Sequence, residues 1–256
     1  MAIEAAAAMT RPTAMLNRRS SPTLPPIADE AIALLDLKAA SRAVRRGQEI
    51  ISEGKRCTAV FLLADGIAIR YRILRDGQRQ IINLLVPGDF AGVTSCRFES
   101  ALYSIKTLTP ATVLPIPLAR LVALFETHPQ LAANLFWSFA SERAVLGERL
   151  IALGRRSAAE RIAHFLLELF VRLQRIGLAD ERSFRLPVTQ EMIGDALGLS
   201  IPYVNRVLQQ LRADGLAQIK DQVVVIGDID GLSALADFEH HYLRPLSIAE
   251  VTAERH

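Results

Sequence analysis

The spacing of apolar residues divides the chain into stretches of different texture. From Ser41 to about Pro117 they come in short runs bounded by glycine turns, and from Leu118 onward they recur every three or four positions. In the first stretch, Ala59–Leu63 and Ile67–Ile73 flank Asp65-Gly66, and Arg70–Leu74 and Gln80–Leu85 flank Asp76-Gly77. Asp-Gly between such runs predicts a β hairpin, because both turn positions favour positive φ. The turn Pro87-Gly88-Asp89 precedes Phe90, and Tyr103–Leu108 and Thr112–Ile116 complete about eight short strands, which suggests a barrel or jelly roll.

The later spacing is helical. Leu118–Thr127 reads as a short helix ended by His128-Pro129, and a long helix runs from Pro129 to about Leu153. Leu131, Leu135, Phe139, Glu142, Leu146, Leu150 and Leu153 form one stripe along it. A helix of some 25 residues is about 37 Å long, more than a small β domain needs for cover. The stripe is therefore expected to be a homodimer seam with Glu142 as its polar interruption. Gly154-Arg-Arg-Ser157 reads as a hinge, and Ser157 with Glu160 as a capping box for a helix reaching about Leu173. His164, beside that helix's apolar face, is expected to be structural. Arg175–Arg185 is a polar connection.

The next segment carries the function. Thr189 can cap a helix Gln190–Leu197 with Ile193, Ala196 and Leu197 inward. Gly194 lets two helices cross closely, and Gly198 can take the left-handed conformation that ends a helix. Ser200 then caps a second helix with Pro202 in its first turn, where a missing amide costs little. Val204, Val207, Leu208 and Leu211 form its inward stripe. Asp214-Gly215 ends it, and Leu216–Lys220 with Val223–Ile226 form a hairpin. Two helices and such a hairpin make a winged helix-turn-helix, whose second helix enters the major groove with its N-terminal turns at the base edges. The DNA-contacting candidates are Thr189, Gln190, Ser200, Ile201, Tyr203, Asn205, Arg206 and Gln209. Arg206 suits a bidentate contact to guanine, Asn205 either adenine or solvent, Ser200 and Thr189 phosphate, and Tyr203 phosphate or a thymine methyl.

Composition adds little to this. The formal net charge is +3, and Arg155–Lys220 holds ten Lys/Arg against seven Asp/Glu, so charge alone does not call for nucleic acid. No apolar run approaches the roughly 18–20 residues of a membrane span, and the N-terminus has no secretory-signal pattern. Residues 1–26, rich in Ala, Pro and Ser, read as a mobile arm, followed by a short helix Asp29–Ala40. Cys57 and Cys96 are read as ordinary thiols of a reduced cytosolic protein, with a redox-sensing Cys96 as the alternative. No GxSxG, Walker loop, HExxH or clustered metal ligands suggest an enzyme. Adjacent His240 and His241 point in different directions on a helix and are not expected to bind metal.

These motifs resemble the Crp/Fnr family of bacterial transcription regulators from about Ala40 to Ile226. The resemblance rests on Gly47, Gly66 and Pro87-Gly88-Asp89-Phe90. C-terminally it rests on Arg161-Ile-Ala-His-Phe-Leu166, Ile193-Gly-Asp-Ala-Leu-Gly-Leu-Ser200 and Val204-Asn-Arg-Val-Leu208. It implies an α+β protein with a cyclic-nucleotide-binding-type β roll, a dimerisation helix and a winged helix. It also implies a cytoplasmic homodimer acting on double-stranded DNA, with RNA polymerase as a partner. The effector region of the family would correspond to Gly88, Asp89, Phe90, Gly92, Val93, Arg97 and Ser104. Yet Gly92 is followed by Val93 where cyclic-AMP-binding members carry a glutamate, and Arg97 and Ser104 are not the adjacent Arg-Ser pair that clamps the cyclic phosphate. Cyclic AMP is therefore not expected. Neither is an iron–sulfur cluster, since the arm has no cysteine, nor haem, since no histidine precedes His128. Ile201-Pro202 stands where those members have Arg-Glu, leaving Arg206 as the shared reader.

The expected organisation is an arm (1–26), a sensor roll (27–128), a dimerisation helix with hinge (129–154), a winged helix-turn-helix (155–227) and a helical extension (228–256), of which Asp228–Tyr242 is an amphipathic helix. A regulator with an unidentified or absent effector is the leading reading. The alternative is a ligand-binding signalling module whose helix-turn-helix contacts protein.

Overall fold

The computed structural model describes residues 32–33 and 37–243. The expected arm lies outside them, as do residues 244–256. Of the first helix, Ile32 and Ala33 are helical and Leu37–Ala40 forms a 3-10 turn.

Eight strands build the roll: β1 (Arg42–Val44), β2 (Glu49–Ile51), β3 (Ala59–Asp65), β4 (Ala68–Ile73), β5 (Arg79–Leu85), β6 (Phe90–Ala91), β7 (Ser104–Thr107) and β8 (Ala111–Pro117). They form two antiparallel sheets, ordered β1-β8-β3-β6 and β2-β7-β4-β5. Leu63 and Val113 point into the core between the sheets, whereas Val60, Leu62, Leu114 and Ile116 point to the outer face of the first. Strands buried on both faces explain why these runs are nearly continuous rather than alternating.

Asp76-Gly77 does close the β4–β5 hairpin, with Ile73 opposite Arg79. Asp65-Gly66 does not close one: β3 pairs with β8 and β6, and β4 lies in the other sheet. The turn is a corner between sheets. Gly66 has φ +90°, and a Cβ there would come closer than 3.0 Å to Pro110 and Ala111, so the local turn chemistry serves a crossing instead.

Each sheet needs its outer face covered. On the first sheet this is done by α1 (Leu118–Thr127) and the start of α2 (Pro129–Arg155). On the second it is done by the C-terminal domain. Ile67, Ile69, Tyr71, Ile81 and Leu84 share one core with α3 (Ala158–Arg175) and the helices after it. The break between the helices falls at the end of the expected Gly154–Ser157 segment. Gly154 is inside α2, and the break comes at Arg156–Ser157, where the extended Ser157 opens α3 with the predicted capping box.

The C-terminal domain continues with β9 (Ser183–Arg185), α4 (Gln190–Leu197), α5 (Ile201–Ala213), β10 (Ala217–Lys220), β11 (Val223–Ile226) and α6 (Ile229–Ala236). Strand β9 lies in the expected polar connection, with Phe184 as its single inward residue. It pairs with β11 to make the wing three-stranded. The expected Asp228–Tyr242 helix is shorter: Asp228 caps α6, and Asp237, in the left-handed region at φ 46°, ends it.

Candidate nucleic-acid interface

The turn between α4 and α5 is held by backbone rather than side chains. Gly198 is left-handed at φ 65°, and its amide and that of Leu199 both donate to the Gly194 carbonyl. The Leu199 carbonyl sits directly over Gly194, where a Cβ would overlap it. Thr189 Oγ1 accepts from Met192 N at 3.1 Å, as predicted. Ser200 occupies the cap position of α5 without a side-chain cap bond, leaving its hydroxyl available. Arg161 of α3 fastens the pair from behind, donating to the Leu197 carbonyl at 3.1 Å and the Arg156 carbonyl at 2.8 Å.

Val204, Val207 and Leu211 turn inward from α5. Ser200, Ile201, Tyr203, Asn205, Arg206 and Gln209 are all exposed, as are Thr189 and Gln190 at the start of α4. All eight candidates thus lie on the solvent side of the helix pair. The Arg206 guanidinium lies over the Tyr203 ring at 5.5 Å, a contact that leaves its N–H edge free to donate. Beside this face the wing turns through Asp221 and Gln222, both at positive φ, with Lys220 exposed next to them.

The reading head is fixed to the roll by charge as well as by the shared core. Arg79 of β5 reaches α4, pairing with Asp195 at 2.6 Å. Deeper in the junction, Arg149 of α2 bonds Glu168 of α3 at 2.9 Å and the Ile82 carbonyl at 3.0 Å. Arg172 joins Glu168, Asp89 of the roll turn and the Leu84 carbonyl. Burial works to raise the Glu168 carboxyl, but Arg149 and Arg172 outweigh it and hold it below the usual carboxylate range. Behind Glu168, His164 is buried in parallel with the Tyr242 ring and edge-on to Phe238. Burial and the nearby Arg156 bring it down to about 4. Of this clamp only Glu168 and Arg172, four apart on α3, are linked by a local pattern; the other partners lie up to 88 positions apart.

The expected seam needs correction. Leu131 and Leu135 are 1% and 3% exposed, packed with Phe139 on the protomer's own roll, and Glu142 bonds Arg70 at 2.6 Å. Leu146 and Leu153 are half-buried; of the stripe, Leu150 alone is strongly exposed, at 73%. The outward face runs instead through Phe136, Trp137, Ala140, Ala144, Gly147, Leu150, Ile151 and Gly154. Its small residues carry no apolar signal, so the sequence favoured the stripe that the roll itself buries.

The effector candidates also have internal roles. Asp89 accepts from Val86 N and Arg172, Phe90 packs edge-on against Phe139, and Ser104 accepts from Glu53 N. Gly88 is a turn residue at φ 94°. A Cβ on Gly92 would collide with Ile51. Val93 is half-buried and Arg97 exposed. Among the described residues, no cluster of three or more His, Cys, Asp or Glu could hold a metal ion, and no helix is long and apolar enough to cross a membrane.

A two-sheet roll, a long helix and a winged helix-turn-helix with an outward polar face together define a DNA-binding regulator. Residues 160–235 match the Crp-like helix-turn-helix domain family, and residues 41–128 the cyclic nucleotide-binding domain family. The transcriptional activatory protein AadR of Rhodopseudomonas palustris is 32% identical over 191 residues, covering 74% of this chain and 78% of that protein. The transcriptional activator protein anr of Pseudomonas aeruginosa is 30% identical over 195 residues, covering 76% and 80%. Among solved structures, FixK2 from Bradyrhizobium japonicum superposes with a TM-score of 0.69 at 29% identity, covering 76% of this chain and 96% of that one. The chain belongs to the Crp/Fnr family of transcription regulators.

Proposed function

We propose that this protein is a sequence-specific transcription regulator that binds a two-fold-symmetric operator as a homodimer, with Arg206 as its principal base reader. The observation that carries the reading is the partition of α5. Its apolar stripe is buried, while every polar candidate faces solvent beside an exposed wing turn. A helix so displayed fits the major groove, and the arginine fork over Tyr203 matches guanine O6 and N7.

The outer face of α2 supports the dimer. Phe136, Trp137, Leu150 and Ile151 are 50–73% exposed, and the alanines and glycines between them let a second α2 approach closely. Such a dimer presents two equal reading helices, with half-sites about 34 Å apart or a multiple of it. In the family's ligand region Gly88, Asp89, Phe90, Gly92 and Ser104 serve turns, packing or internal hydrogen bonds, so no effector is assigned to them.

Footprinting on fragments of the source genome tests this. The expected result is protection of a two-fold site, affinity that falls steeply as salt rises, and a large loss in Arg206→Ala. Absence of a protected site, or affinity indifferent to salt and to Arg206, overturns it in favour of a helix-turn-helix that contacts protein.

A further inference from the structure

The chain has two cysteines. Cys57 lies in the loop before β3, and Cys96 in the 3-10 turn Ser95–Arg97 after β6. Although 39 positions apart, their sulfurs are 3.3 Å from each other. The fold brings them together through β3–β6 pairing, which sets Phe61 opposite Ala91 and Leu62 opposite Phe90. Both residues are only partly buried, so a small solute can reach them. Gly92, between β6 and the turn, is left-handed at φ 87°, and it carries the chain from β6 into the turn that holds Cys96. An S–S bond of about 2.05 Å requires the sulfurs to close by about 1.2 Å.

The geometry points to Cys57 and Cys96 as a dithiol redox site that closes reversibly into an intramolecular disulfide by exchange with a small-molecule disulfide of the glutathione class. The Cys57 thiolate attacks one sulfur of the oxidised solute, expelling one solute thiolate and forming a mixed disulfide. Cys96 then loses its proton to solvent and attacks Cys57 Sγ, expelling the second solute thiolate. The solute disulfide is reduced to two thiols and the protein loses two hydrogens. Burial and the Cys57 sulfur push the Cys96 thiol up to about 12, which disfavours Cys96 as the first nucleophile and leaves Cys57 to meet the oxidant; the second step is intramolecular, between sulfurs already 3.3 Å apart. The bridge has a structural consequence. Cys57 packs on the core between the sheets, and Cys96 on the outer core with Phe90, Leu131 and Leu135, so oxidation joins the roll interior to the layer that seats α2.

The test uses the reduced full-length protein in buffers of oxidised and reduced glutathione, with alkylation, mass spectrometry and non-reducing gels. Both thiols are expected to disappear in one transition. The product is a single species lighter by two hydrogens, with the Cys57 and Cys96 peptides joined and no cross-link between chains. A reductant restores both thiols, and the oxidised form melts at higher temperature because the bridge closes the 39-residue separation. Cys96→Ser accumulates a stable glutathione adduct at Cys57, whereas Cys57→Ser stays unmodified. Wild-type protein that keeps both thiols free under full oxidation, holds the mixed disulfide or cross-links between chains overturns the site. The reverse pattern in the two serine variants overturns the assigned order of attack. These readouts are covalent states, independent of DNA binding.

Discussion

Replacing Gly194 by alanine separates two reasons for a helical glycine. Alanine gains about 0.8–1 kcal/mol over glycine in a helix interior, so on propensity alone Gly194→Ala would stabilise α4. Its Cβ, however, overlaps the Leu199 carbonyl, a backbone atom that cannot swing away. Leu199 is held on both sides, by its own amide bonded to Gly194 at 3.1 Å and by the start of α5 at Ile201. Overpacking a tight site costs about 1–3 kcal/mol, and a fixed backbone partner places this case in the upper half, leaving a net destabilisation of about 1–2 kcal/mol. Equilibrium urea unfolding, with hydrogen exchange of the α4 and α5 amides, measures it. Gly198→Ala is the companion variant. Its nearest side-chain atom, Leu153 Cδ2, is at an ordinary 3.7 Å, so its cost, about 1–2 kcal/mol, comes from the left-handed backbone alone. Asparagine should therefore be tolerated at 198 and not at 194. Stability of Gly194→Ala equal to or above wild type would refute close approach as the reason for this glycine.

Other outcomes follow from the junction and the interface. Arg206→Ala should weaken operator binding by about 1–3 kcal/mol and relax discrimination at one base pair, read by binding titrations against operator variants. Glu168→Gln, which leaves Arg149 and Arg172 without their shared carboxylate, should cost about 3–5 kcal/mol in urea unfolding at neutral pH. His164 binds its proton with a value of about 4 when folded against its ordinary 6.5. Between these values the unfolded chain holds the extra proton, so stability falls as pH drops from 6.5 towards 4, by up to about 3 kcal/mol; His164→Phe should remove that part of the slope. Leu150→Glu should turn a dimer into a monomer by light scattering, and the emission of Trp137, the sole tryptophan, should shift red with it.

How far the sequence reached depends on the range of the interactions involved. The reading head was legible almost residue by residue. A capped helix, a glycine turn and the period of an apolar stripe are set by neighbours within about one or two turns, and Gln190–Leu197 and Ile201–Ala213 form where they were expected. The Ser157–Glu160 capping box and the Asp76-Gly77 hairpin are of the same kind. What the tertiary structure decided is which partner each surface meets. Asp65-Gly66 has the chemistry of a hairpin but joins two sheets, because β3 finds β8 across the roll. The stripe of Leu131, Leu135 and Phe139 has the period of a seam but covers the protomer's own sheet. Apart from the Glu168–Arg172 pair on α3, the Arg149–Glu168–Arg172–Asp89 clamp and the Cys57–Cys96 pair join residues from separate elements, and across elements charge or sulfur carries no periodicity by which a sequence could announce its partner. Local backbone chemistry was therefore readable from order alone. The pairing of faces was not, because burial is satisfied by whichever apolar surface the rest of the chain brings near.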